Sequence, residues 1–99
     1  MTDAELKTWW PALGVVVAAL RHSNQSTVAD LLIDAVSAGE TSSEILDGVG
    51  VALRQHGALR STLDEPAVQA WNAVLAEVHR AFPGSGLVDW LVGLTRPSG

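Results

Sequence analysis

The side chains of this sequence whose types could carry chemistry are two carboxylates one helical turn apart, Asp30 and Asp34, and three histidines, His22, His56 and His79. Paired carboxylates can do acid–base work or hold a hard cation. No third ligand stands near Asp30 and Asp34, so their spacing predicts a solvated stripe on a helix. The histidines form no i, i+4 pair and no ligand set of metal spacing. His22 and His56 fall in the expected last turns of helices, where a cation complements the dipole. His56 also projects on the side of Ile45, Val49 and Ala52, as a partly buried, hydrogen-bonded histidine would. His79 lies two residues after Glu77, on another face. A phosphate loop, a dinucleotide fingerprint and a nucleophile elbow are all missing. There is no cysteine, which removes disulfides and thiolate metal sites and fits a reducing, cytoplasmic setting. The expectation is a non-enzyme that needs no cofactor and no metal.

The stretch AGETSSEILDGVGVALRQHGALR, residues 38–60, resembles the helix-turn-helix of DNA-binding regulators. Gly39, Thr41, Glu44, Ile45, Val49, Gly50 and Val51 fall at that motif's entry glycine, cap, first-helix, turn and following apolar positions. The resemblance implies a recognition helix over 52–60 that presents Arg54, Gln55 and Arg60 to base edges. Four positions depart from the pattern. Leu46 stands where a small residue belongs, Ala52 where a cap belongs and His56 where an apolar core residue belongs, and Gly57 interrupts the recognition helix. Glu40, Glu44 and Asp47 would also repel phosphate. The competing expectation, and the favoured one, is a single helix over 42–56 that carries Gly48 and Gly50 at close helix crossings or at a local break.

Bulk charge points the same way. A net charge of -5 opposes nucleic acid and anionic membrane surfaces, and favours encounter with a basic partner. Four of the five aromatic residues are tryptophan, a residue enriched at binding hot spots. Trp71 shares a helix face with Ala67, Val74, Leu75, Val78 and Phe82, and Trp90 shares one with Leu87 and Leu94, so both read as core. Trp9 and Trp10 are adjacent, so on a helix they diverge by about 100° and only one can be buried by the same core. The Trp9-Trp10-Pro11 corner is therefore the candidate contact surface.

These residues must be positioned by helices. Capping-box spacing recurs at Thr2–Glu5, Thr41–Glu44 and Thr62–Glu65. Gly39 and Gly57 stand where a left-handed helix terminus is expected. Alternating strand patterns are missing. The sequence predicts helices over about 3–21, broken or kinked near Pro11, and over 26–38, 42–56, 64–82 and 86–94. Residues 1–95 form one domain, and 96–99 a frayed tail. The run from Trp9 to Leu20 is twelve residues without a polar side chain. That is short of the ~20 that a membrane span needs. The acidic flank of Asp3 and Glu5 also does not fit a secretory leader. A helix apolar all round is expected to be buried all round, by its sibling helices or by a second chain.

The predicted fold is an all-α, compact bundle of four to five short helices, standing alone or as an intertwined or face-packed homodimer. The expected function is that of a small acidic protein–protein interaction module of the inhibitor, immunity-type or adaptor kind. Its partner is another protein or a second copy of itself, and the interface comprises Trp9, Trp10, Leu13, Val17 and Leu20. A DNA-binding regulator acting through residues 40–60 is the alternative.

Overall fold

Three of the described helices begin where a side-chain oxygen accepts from an orphan amide. In a computed structural model, which describes residues 1–81, the first helix, α1, spans Asp3–Trp9. The Glu5 amide donates to Thr2 Oγ1 (3.2 Å), and the Thr2 amide donates to Glu5 Oε1 (2.9 Å). The Thr2 amide first, and the Thr2 hydroxyl second, hold the Glu5 carboxyl below its ordinary pKa. Trp10 then leaves helical angles (φ -138°, ψ 81°), as a residue before proline is pushed to do. Pro11, with no amide to satisfy, opens α2, Pro11–His22. The expected break near Pro11 is thus a clean division into two helices.

The end of α2 is closed by a residue that the sequence pattern did not flag. Asn24 takes a left-handed conformation (φ 62°). The Gln25 amide donates to the Leu20 carbonyl (2.7 Å) and the Asn24 amide to that of Arg21 (3.2 Å). This is the Schellman arrangement, with asparagine in the place glycine more often takes. It turns the chain into α3, Ser26–Ala38. Gly39 does not play the expected left-handed part, for its backbone is extended (φ -73°, ψ 135°). What requires glycine there is space, because a Cβ would lie 2.5 Å from Ile45 Cγ1.

Helix α4, Ser42–Gln55, is continuous through Gly48 and Gly50. The turn that the helix-turn-helix resemblance requires is not formed. Thr41 caps the helix by accepting from the Glu44 amide (3.2 Å), and the Glu44 carboxylate accepts from the amide of Glu40 (2.9 Å). The two glycines serve helix crossings: a Cβ on Gly50 would meet Val78 Cγ1 at 2.8 Å, and one on Gly48 would meet Ala35 at 3.4 Å. A 3-10 helix, Gly57–Thr62, comes next, and Gly57 is neither left-handed nor crowded. Thr62 does not cap the last helix as expected. Its hydroxyl donates instead to the Leu59 carbonyl (2.7 Å), and Asp64 takes over by accepting from the Ala67 amide (3.3 Å). Helix α5 runs Glu65–Ala81. The helix expected over 86–94, the Trp90 face and the tail 96–99 lie outside the described residues.

The fold is all-α, and no strand occurs among the described residues. Helix α2 is central and packs against α1, α3 and α5, while α4 packs against α3 and α5. Leu6, Leu13, Val16, Val17, Leu20, Leu32, Val49, Leu53, Trp71 and Val74 form one contiguous core, each no more than 1% exposed. Helix α1 lies close enough on α2 that a Cβ on Gly14 would sit 2.6 Å from the Lys7 Cα. Among the described residues, the helices do not cover α2 on every side. Pro11, Val15 and Ala18 face outward, with Val15 36% exposed. Among the described residues, three flanking helices close three sides of a cylinder.

Candidate functional site

The break between α1 and α2 sends the two adjacent tryptophans in different directions. Trp10 turns inward and is 8% exposed, whereas Trp9 stays 54% exposed. Their rings meet edge to face, with centroids 6.1 Å apart and planes at 90°. In that geometry the positive edge of one ring meets the negative face of the other. Trp10 is a fixed support and Trp9 stands on it as an outward apolar plate.

Beside them opens a cleft of about 300 Å³, lined by Trp9, Trp10, Ser42, Ile45, Leu46 and Glu77. Three elements build it: the α1–α2 corner, the first turns of α4 and the end of α5. Thr41 fixes where α4 begins, and so places Ser42, Ile45 and Leu46. Glu77 is placed by the buried face of α5, because it sits between Val74 and Val78 at the margin of that face. The walls are aromatic and aliphatic, and among the described residues the one formal charge in the lining, Glu77, is negative. The Trp10 Nε1–H is buried and has no acceptor among the described residues. An unpaired buried donor of this kind costs about 1–3 kcal/mol.

Of the interface residues expected from the sequence, the structure leaves Trp9 outside and Trp10 on the wall of the cleft. It takes Leu13, Val17 and Leu20 off any surface. They are 0%, 1% and 0% exposed, because the face that carries them packs into the chain's own core. Ser42, Ile45, Leu46 and Glu77 were not anticipated. They are more than thirty positions from the tryptophans, and only tertiary packing brings them together. The one hint was the adjacent pair Ile45–Leu46, an apolar side chain more than a single buried stripe needs.

Of the other residues with chemical potential, Arg21, Asp30 and Arg60 are held in structural contacts. Arg21 donates from Nε to the Asp3 carboxylate and from Nη2 to Asp30 (2.8 Å), tying the first turn of α1 and the body of α3 to the end of α2. Those carboxylates, Asp3 foremost, raise the guanidinium pKa above its ordinary value. Asp30 is therefore paired with Arg21 rather than with Asp34, which is exposed on α3. The DNA-contact set is divided. Arg54 and Gln55 end α4, while Arg60 lies in the 3-10 helix and donates to Asn72 Oδ1 (3.0 Å). His79 lines a separate pocket with Arg60, Asn72, Leu75 and Ala76. Among the described residues no group of three or more His, Cys, Asp or Glu side chains could hold a metal, and no helix is long and apolar enough to cross a membrane.

Set against known protein families, characterised proteins and solved structures, the chain matches none.

Proposed function

We propose that this chain is a small acidic interaction module, of the inhibitor, immunity-type or adaptor kind, which receives an apolar side chain of another protein in the Trp9–Trp10 cleft. The observation that carries the reading is the half-exposed Trp9 ring, braced edge-on by a buried Trp10 at the mouth of an apolar cleft. An exposed aromatic held rigid loses little entropy on binding, so the area it covers contributes more fully to affinity. Glu77 in the lining and the net charge of -5 select the partner's chemistry: an apolar anchor residue flanked by lysine or arginine. The same charge argues against a second copy as the partner, since two such surfaces repel.

Selection from a displayed random-peptide library tests this. The expected result is enrichment of an aromatic or aliphatic residue next to a basic one. Binding should be lost with Trp9→Ala and weakened about tenfold or more with Glu77→Lys, which turns attraction into repulsion. No enrichment, or enriched peptides that bind Trp9→Ala as tightly as the unaltered chain, would overturn it.

A further inference from the structure

We propose that the pocket between the 3-10 helix and α5 is a second ligand site, which takes a small carboxylate with a short apolar tail. It is separate from the Trp9–Trp10 cleft and does not depend on what that cleft binds. Its volume, about 310 Å³, is that of a small-molecule site. Asn72, Leu75, Ala76 and His79 follow one another at intervals of three, one and three residues, so they share one face of α5. The 3-10 helix packs against α5 and brings Arg60 into the lining.

The pocket's surface is nearly all apolar, which calls for an apolar body in the ligand. The head group is set by the polar residues of the lining, which include the Arg60 cation and, among the described residues, no carboxylate. Arg60 makes no ion pair among the described residues. Its bond to Asn72 Oδ1 (3.0 Å) uses one of five N–H donors and holds the guanidinium at the pocket. Arginine only donates, so the Asn72 oxygen is the atom turned toward it, and the Asn72 NH₂ is left as a further donor. His79 Nδ1 is buried and has no partner among the described residues. A buried nitrogen left unpaired is costly, and a bound oxygen would satisfy it. In a chain of net charge -5, a cation with neighbouring donors and no carboxylate beside it selects an anion, and a planar carboxylate fits the guanidinium fork.

A nitrogen-15 NMR titration of the full chain with sodium hexanoate tests this, with hexan-1-ol, hexylamine and inorganic phosphate as comparison probes. The expected result is a saturable shift of the Arg60, Leu75, Ala76 and His79 amides with hexanoate, while the Trp9 and Trp10 indoles stay still. Hexan-1-ol lacks the charged head and phosphate the tail, so each is expected to bind about tenfold or more weakly, and hexylamine more weakly still. Two variants probe the head group. Arg60→Gln removes the cation, and Asn72→Asp, at an exposed position, puts a carboxylate beside it. Each is expected to weaken hexanoate about tenfold or more and to leave hexan-1-ol unchanged. The comparison of probes on the unaltered chain stands even where a variant fails to fold. No saturable shift with hexanoate, as a pocket filled by water alone would give, would overturn the proposal. So would hexan-1-ol binding as tightly as hexanoate, or folded variants that both keep full affinity for it.

Discussion

At the scale of single residues, two tryptophans on one chain are put to opposite uses. Trp71 is 1% exposed at the centre of the core, while Trp9 is 54% exposed. Replacing Trp71 by alanine is expected to cost about 3–5 kcal/mol, the usual range for emptying a buried aromatic site. Trp9→Ala is expected to cost no more than about 1 kcal/mol, since only half of the ring's transfer energy is at stake. Urea unfolding of the two variants checks this, and a Trp9 variant as unstable as the Trp71 variant would make Trp9 a core residue. Trp71 was legible in the sequence because Ala67, Val74, Leu75 and Val78 repeat around it at helical spacing. The divergence of Trp9 and Trp10 was legible too, from adjacency and the proline after them. Leu13, Val17 and Leu20 were misplaced for a physical reason. A helix without polar side chains carries no mark to say which side faces water, and here the outward side is Pro11, Val15 and Ala18.

At the scale of helices, the glycines of α4 separate two effects that sequence alone leaves joined. Each weakens a helix interior by about 1 kcal/mol relative to alanine. Gly50 faces Val78, a stiff and fully packed side chain, and a Cβ would stand 2.8 Å from its Cγ1. Gly50→Ala is therefore expected to destabilise by about 1–3 kcal/mol despite its better propensity. Gly48 has ordinary van der Waals room beside Ala35 (3.4 Å), so Gly48→Ala is expected to stabilise by about 0.5–1 kcal/mol. Thermal unfolding that moves both variants in the same direction would contradict this assignment of the crossings. The existence and rough bounds of the α-helices through Ala81 were readable from caps, proline and apolar spacing, but the 3-10 helix over Gly57–Thr62 was not. The Asn24 terminus was not, because asparagine is only an occasional left-handed residue. Nor was the exchange of Thr62 for Asp64 as the α5 cap, which depends on a 3-10 helix capturing the threonine hydroxyl.

At the scale of the molecule, α2 is flanked by α1, α3 and α5 among the described residues, and an apolar cleft opens at the α1–α2 corner. Residues from positions 9, 45 and 77 meet there because the α1–α2 corner, α4 and α5 pack together, α4 and α5 crossing closely at Gly50 and Val78. No local pattern encodes that meeting, which is why the sequence pointed to the tryptophan corner and missed its opposite wall. The most direct test of the docking claim is a nitrogen-15 NMR titration of the full chain with a library-selected peptide that carries an apolar anchor beside a lysine. The indole signals of Trp9 and Trp10 and the amides of Ile45, Leu46 and Glu77 are expected to shift together and saturate, while the Trp71 indole stays still. Shifts confined to the Val15–Pro66 groove or to the Arg60–His79 pocket, with the two tryptophans unmoved, would contradict it.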